Sequence, residues 1–440
     1  MVDELHARSL LVAADAVIGS APRLRLYDSV RRHALAGLDR DGHAADARRR
    51  HLAWLLHRLD GLVETAMFEP ALLWLTPLQA DVDSLRAALG HGLADDAPPE
   101  VAAMAVMLVA HSVTFWVRGG RRAEGARWLR RARVRAPSCG LTPLQQAQLQ
   151  HAQAQFVCYA FIGDVPAALD GLDAALPVLQ AAGLRAWVCG VHYIAATLML
   201  RIGRPFDRLA LLQALEAAYD PAWPLLAERY RLMMRCQLRG DRAALLDYVA
   251  AAEPYLARID QPRTEFEYMG PASMLAQVQV LLGQPDAACA RYAGLVDRLR
   301  RSGRLRTQTQ TVALGAAVAL WCRLDDDSLA RALEAARLLL ADDELWWMAD
   351  GLPWAAWHAG RPEDAARLLA WADGLLAARG EQRGPVPARM RAALVTALQA
   401  RLGQAGLAAL ATGAPADQAQ ALVLAFGADA VQAWRPAPAA

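Results

Sequence analysis

Eight arginines fall within the 18 residues from Arg118 to Arg135, at 118, 121, 122, 127, 130, 131, 133 and 135, opposed only by Glu124. Guanidinium groups at that density can grip phosphate or carboxylate through paired N–H donors, so the stretch reads first as an anion-binding surface. Trp128 is the one aromatic among them, too few for the base stacking on which single-strand binders rely. The pattern therefore favours a solvated helix face that docks an acidic partner domain, with Arg121, Arg122, Arg127, Arg130 and Arg131 as its contact residues. A smaller run, Arg298, Arg300, Arg301, Arg304 and Arg306, reads the same way.

A second candidate is aromatic: Trp346, Trp347, Trp354 and Trp357, with Trp371 on the next helix. At about 100° per residue the first four fall within about a quarter-turn of one helix, a face that could stack a planar or apolar ligand. Large aromatics at helical spacing also build inter-helix core, and Pro353 within the run predicts a kink in place of a flat platform. Two acidic clusters, Asp325-Asp326-Asp327 and Asp342-Asp343-Glu344, lack the spacing with which facing helices hold a divalent cation. Helix-start capping accounts for the first of them. Cys189 and His192 lie one turn apart, but two ligands do not make a zinc site, and a buried thiol beside a helix-face histidine is the simpler reading. The ten histidines form no HxxxH or HExxH pattern, and no GxSxG elbow is present. Lysine is absent, so all 47 basic residues are arginine and no GxxxxGK[ST] phosphate loop can exist. The expectation is a non-enzymatic chain with no metal and no cofactor.

What positions these residues is a recurring turn. An apolar run from Met104 to Val117 stops at Gly119-Gly120, and a second amphipathic run follows. The same device returns at Gly163, Gly203, Gly240, Gly283 and Gly360, each a helix end, a glycine, one or two polar or proline residues, then a helix start. The spacings from Gly120 to Gly283 are 43, 40, 37 and 43 residues. A unit of two helices at that period means an α-solenoid. The helical pairs expected are 97–117/123–135, 143–162/165–182, 185–202/207–219, 222–239/242–257, 268–282/285–301, 307–323/327–341 and 345–359/363–379. At the sixth turn Leu324-Asp-Asp-Asp-Ser328 replaces glycine, with an Asp or Ser as N-cap.

Composition agrees with this: 55% hydrophobic residues dominated by Ala and Leu, which favour helix. A net charge of +2 fits neither a general nucleic-acid binder nor an acidic tail protein. Six cysteines at 139, 158, 189, 236, 289 and 322 form no CxxC pair, which implies reduced, mostly buried thiols and a cytoplasmic location. The N-terminus, Met-Val-Asp-Glu-Leu-His, is no signal peptide. Apolar runs such as 101–110 fall short of the roughly 20 residues of a membrane span, so no membrane association is expected.

Residues 1–36 differ from the rest. Two short extended runs, 9–13 and 23–27, flank a Gly-Ser-Ala-Pro turn at 19–22, the pattern of a β-hairpin, and a helix over 28–38 follows. An amphipathic helix over 44–62 carries Leu52, Leu55, Leu56 and Leu59 on one side, and a helical pair runs from about Pro70 to Gly90.

Four motifs occur in order: Arg23-Leu-Arg-Leu-Tyr-Asp-Ser-Val-Arg-Arg-His-Ala34, Ala47-Arg-Arg-Arg-His-Leu-Ala-Trp54, Asp81-Val-Asp-Ser-Leu-Arg-Ala-Ala-Leu89, and Arg118-Gly-Gly-Arg-Arg-Ala-Glu-Gly-Ala-Arg-Trp-Leu129. With the tail from Leu394 to Leu422, their order and spacing resemble the C-terminal half of bacterial signal-transduction ATPases of the winged-helix regulator type. That resemblance implies a winged-helix remnant, hairpin plus helix, at 1–40; a helical linker or cap at 41–96; tetratricopeptide-like repeats at 97–380; and capping helices with a tail at 381–440. The fold class expected is all-α, a right-handed helical-repeat superhelix with a short N-terminal β-hairpin. The function implied is a sensor or protein-interaction arm that binds an inducer or partner in its concave groove and restrains an ATPase module. Direct specific DNA binding is not expected of this chain. The P-loop and DNA-binding domain of that family are absent, which implies a fragment, a separately encoded piece or a misassigned start. A stand-alone scaffold is the alternative; an α-helical enzyme, the third class, lacks any supporting constellation.

Overall fold

The computed structural model describes residues 4–5, 8, 10–14, 23–62, 64, 66, 69–322 and 325–433. Two short strands, β1 (Leu11–Ala14) and β2 (Arg23–Leu26), pair antiparallel with Leu11 opposite Leu26. The turn expected at 19–22 lies outside the described residues. From Asp28 onward the described chain is helical, and helices pack against their neighbours in sequence as in a helical repeat. Two compact units emerge: Met1–Ala195 with Gln213–Glu228 and Gln261–Phe266, and Ala196–Leu212 with Arg229–Asp260 and Glu267–Ala440.

In the first unit, α1 (Asp28–Arg40) buries no side chain, whereas α2 (Ala44–Leu59) buries Leu52, Leu55 and Leu59. Next come α3 (Ala71–Ala80), α4 (Val82–Gly92), α5 (Pro99–Arg118), α6 (Arg122–Arg135), α7 (Pro143–Ala160) and α8 (Val165–Ala181). α5 is apolar around most of its circumference, and such a helix must be enclosed on all sides. α2, α3, α4, α6 and α7 all pack against it. By length and composition α5 could cross a membrane, with a mean hydropathy of 1.6 over an 18-residue window, but 83% of that window is buried inside the fold. α7 begins with a reciprocal cap: Thr142 Oγ1 accepts from the Gln145 N–H, and Gln145 Oε1 accepts from the Thr142 N–H, with Pro143 in the first turn.

Helices α9 (Arg185–Ile202), α10 (Arg208–Ala218), α11 (Glu228–Arg239), α12 (Arg242–Ile259), α13 (Glu265–Leu281), α14 (Pro285–Arg301), α15 (Thr309–Cys322) and α16 (Asp326–Ala341) continue the hairpins. Then follow α17 (Leu352–His358), α18 (Pro362–Arg379), α19 (Pro385–Leu410), α20 (Gln418–Phe426) and α21 (Ala428–Ala433). α19 is bent at Gly403, whose φ of 72° and ψ of 165° are not helical.

The turn glycines at 120, 163, 203, 240, 283 and 360 all have positive φ. Gly163 shows why no other residue serves, since at φ 125° an added Cβ would also lie 2.8 Å from Val157 Cγ2. At the sixth turn Asp325 is the N-cap, its carboxylate accepting from the Ser328 N–H at 2.7 Å; residues 323 and 324 lie outside the described residues. Two expected helices start elsewhere. Pro224 leads into a 3-10 turn, Leu225–Ala227, so α11 begins at Glu228 in place of 222. The single helix expected over 345–359 is broken into a 3-10 turn, Leu345–Met348, and α17. Proline is favoured in the first turn of a helix, where its missing N–H costs nothing, and Pro353 occupies the first turn of α17.

Candidate functional site

The arginine-rich α6 divides its side chains between two tasks. Gly125, Leu129 and Ala132 face inward, and Gly125 is packed so closely that an added Cβ would lie 2.5 Å from Trp116 Cβ. On one flank, Arg131 donates to Leu93 O at 3.0 Å with its guanidinium 5.1 Å above the Trp128 ring, and Arg135 donates to Ala97 O at 2.8 Å. Leu93 follows directly on α4, whose last carbonyls no helical N–H can reach, so such donors complete a helix end. Glu124 accepts from Arg86 Nε at 2.7 Å and Nη2 at 2.8 Å, while Arg86 Nη1 donates to Asp83 at 2.9 Å, and Glu124 also accepts from the Trp128 indole N–H at 3.4 Å. The hydrogen bonds from Arg86 hold the Glu124 carboxyl below the usual range. Arg121 stands at the N-cap position of α6, where its charge also faces Glu124, and Arg122 is half-buried beside it. The guanidinium of Arg118 stands 5.9 Å from the Trp74 ring centre. Arg127, Arg130 and Arg133 are different: they are exposed and have no ion pair or hydrogen bond among the described residues. Beside them Val134 is 75% exposed.

The tryptophans do not share one helix face. Trp346 and Trp347 stack at 4.1 Å on the 3-10 turn, and the Arg379 guanidinium covers Trp346 at 4.0 Å. Trp354 is buried in α17 with its ring 5.5 Å from His358, Trp357 is half-buried, and Trp371 is buried in α18. The structure brings Trp346 and Trp347 together with Arg379, and leaves Trp354 and Trp371 as core.

Arg379 opens a polar hub in the second unit, where the sequence predicts only the start of the capping helices. Glu381 accepts from Arg379 Nε at 3.2 Å and pairs with Arg201 at 3.6 Å, both Arg201 and Glu381 being almost wholly buried. The Gln382 N–H donates to Arg201 O at 2.7 Å. Arg383 bridges two acids, donating to Asp350 at 2.7 Å and pairing with Asp373 at 2.7 Å, while Arg391 clamps Asp373 with bonds of 2.8 and 2.7 Å. Burial pushes the Asp350 carboxyl up against the pull of Arg383. For Asp373 burial works in the same upward direction, but the bond from Arg391 and the charge of Arg383 prevail and hold it low. Arg389 donates to Val280 O and Leu281 O, both at 3.1 Å, completing the C-terminal end of α13. The only local signal was the charge density around 379–391; the partners lie up to 180 residues away.

A second interior cluster also escaped sequence reading. His151 is buried among apolar neighbours, its ring 4.9 Å from that of Trp187, with neither ring nitrogen hydrogen-bonded among the described residues. Burial pushes its pKa down to about 4. The Trp187 indole N–H donates to Glu64 at 2.6 Å, and His111 lies across the same ring at 6.2 Å.

The remaining candidates resolve into structural roles. Asp327 pairs with Arg331 at 2.8 Å and Asp342 with Arg306 at 2.7 Å. Among the described residues no group of three or more His, Cys, Asp or Glu is placed to hold a metal ion. Cys189 and His192 are both buried, and desolvation raises the Cys189 thiol to about 12, far from a reactive thiolate. A cleft of about 340 Å³ between α11 and α12 is lined by Leu232, Cys236, Ala244 and Tyr248, with Arg239 bonded to Asp247 at 2.9 Å beside them. The geometry on view is that of surfaces and buried polar ties rather than of a nucleophile beside a base. Compared with known proteins, the chain matches no family model and no curated protein.

Proposed function

We propose that this chain is the sensing or partner-binding arm of a bacterial signal-transduction ATPase of the winged-helix regulator type. In this reading its hairpins form a right-handed tetratricopeptide-like superhelix, whose concave groove takes an inducer or a protein partner. The supporting observation is the apolar surface of the N-terminal segment. α1 buries nothing, and Leu24, Tyr27 and Leu35 are 45%, 47% and 44% exposed. At roughly 25 cal/mol per Å², about 200–300 Å² of apolar surface left in water costs about 5–7 kcal/mol relative to a covered one. The hairpin and helix made of β1, β2 and α1 present such a surface, and an ATPase module of that type covers it. The restraint follows from differential binding: an inducer frees the ATPase by binding the released state of the array better than the restrained state. The arm itself hydrolyses no nucleotide and reads no DNA sequence.

Limited proteolysis of the purified chain, alone and with an ATPase module encoded beside it, tests this. Cleavage should fall before about residue 23 in the chain alone, leave the helices from 44 onward intact, and be suppressed by the module. A segment that resists protease as a dilute monomer would sink the proposal in favour of a self-sufficient scaffold.

A further inference from the structure

We infer that the outer face of α6 is a docking surface for an acidic amphipathic helix, with Arg127, Arg130 and Arg133 taking its carboxylates and Val134 its apolar residue. The inference deepens the partner-binding reading above and rests on it.

Two other arginine runs are largely paired within the molecule, although single exposed arginines such as Arg301 stand without a partner among the described residues. On α2, Arg49 and Arg50 share Asp46 at 2.8 and 3.0 Å, and Arg48 reaches Asp39 at 3.4 Å. On α14, Arg298 pairs with Asp260 at 2.6 Å and Arg300 with Asp297 and Glu334, both at 2.9 Å. Within α6 the only acid is Glu124, which already holds Arg86 and Trp128. Arg127, Arg130 and Arg133 are thus left exposed with no counter-charge among the described residues, in a chain whose net charge is only +2.

Helical geometry says what fits. Arg127, Arg130 and Val134 project from the side of α6 opposite the buried Gly125, Leu129 and Ala132, and Arg133 flanks them. At about 1.5 Å rise per residue, Arg127 to Val134 spans roughly 10 Å, or two turns. A partner helix with Glu or Asp at i and i+3 or i+4 and an aliphatic residue between them matches both charge and spacing. Arginine favours this further, since its planar fork meets a carboxylate with two parallel N–H donors. A phosphate backbone would satisfy the arginines but leave Val134 against a charged strand. A lone exposed valine is also too little apolar surface to anchor α6 to a bilayer.

The test uses the full chain and a fluorescein-labelled 16-residue helical peptide with glutamates at i and i+4 around leucines, followed by anisotropy at about 50 mM salt. We expect saturable binding that weakens about tenfold or more in the R127Q/R130Q/R133Q variant, and several-fold in Val134→Asp. The same peptide with glutamine for every glutamate should not bind, and raising salt to about 300 mM should weaken the acidic one. Because these four side chains are solvated, both variants should melt as the wild type does. Unchanged affinity in the triple variant, or equal binding of the glutamine peptide, overturns the inference. So does tighter arginine-dependent binding of a 20-base-pair duplex or of phosphatidylserine vesicles, which would assign the face to phosphate. If the peptide binds as expected but an ATPase module never protects the N-terminal segment, the surface stands and the regulator reading falls. The opposite result separates them the other way.

Discussion

Arg86 and Glu124, 38 residues apart, meet in a two-pronged bond whose N–H···O distances are 2.7 and 2.8 Å. The same separation recurs between Arg131 and Leu93 O, Arg135 and Ala97 O, Arg291 and Glu253, and Arg298 and Asp260. These ties convert the repeat from a pattern of turns into a pattern of contacts; the ion pairs join one hairpin to the next, and Arg135 closes its own hairpin on Ala97, just before α5. Fork-to-carboxylate geometry makes the Arg86–Glu124 pair stronger than an ordinary surface ion pair, although partial exposure of Arg86 tempers it.

Removing Arg86 and Glu124 singly and together, each replaced by glutamine, should give a coupling energy of about 1 kcal/mol in urea unfolding. Strictly additive single losses would mean that the bond contributes nothing to the joining of hairpins.

Acid should destabilise the first unit through His151. Its folded pKa is lowered to about 4, whereas an exposed imidazole titrates near 6.5, so below that value the unfolded chain takes up the proton first. Stability from this group is therefore full above about pH 6.5 and is lost as pH falls towards 4, by a total on the order of 3 kcal/mol. Replacing His151 by phenylalanine, which keeps a buried ring without a titrating group, should flatten that part of the stability–pH curve. Parallel curves for wild type and variant between about pH 6.5 and 4 would show that the ring is hydrated or paired in solution.

At the hub, Arg383→Met should cost about 3 kcal/mol, because it strands the buried Asp350 carboxylate without its cation. Burial already raises the folded pKa of Asp350, and losing Arg383 raises it further. An acid with a raised folded pKa loses stability as pH climbs through its unfolded value, so the variant should be relatively better off near pH 4 than near pH 7. Adding Asp350→Asn should recover part of the loss at neutral pH. A single variant as stable as wild type at pH 7 would mean that water, not Arg383, solvates Asp350.

Much of the helical array could be read from the sequence because its punctuation is local. A glycine in such a turn supplies a positive φ, and all six do, although Gly163 at 125° stands apart and leaves the left-handed C-cap of α7 to Phe161. Identical words elsewhere carry less. Thr-Pro-Leu-Gln occurs at 76–79 and at 142–145. The second copy opens α7 through its reciprocal cap, whereas the first lies inside α3, with Leu75 and Leu78 buried on either side of Pro77. Which role applies is decided by the apolar residues upstream, which carry α3 through the proline. The tryptophan face failed for a similar reason, since helical angles assume an unbroken helix and Pro353 starts a new one. The Arg201–Glu381 tie was beyond local reading altogether, because no pattern within a window spans 180 residues. On α6 the arginine density was visible, but not its division into side chains that hold α4 and side chains that face outward. That division depends on where the Leu93 and Ala97 carbonyls fall.

Three helices of the second unit also alternate in sign where they meet. α12 presents Glu253 and Asp260 to Arg291 and Arg298 of α14, and α14 turns Arg300 towards Glu334 of α16. A copy of the α13–α14 hairpin inserted beside its original would set Arg300 of one copy beside Arg291 and Arg298 of the next. Duplication of that hairpin alone is therefore disfavoured by like-charge contact, a constraint that the glycine turns do not impose. A spliced version that respects the glycine turns but repeats the α13–α14 hairpin alone would keep its helices and lose those ties.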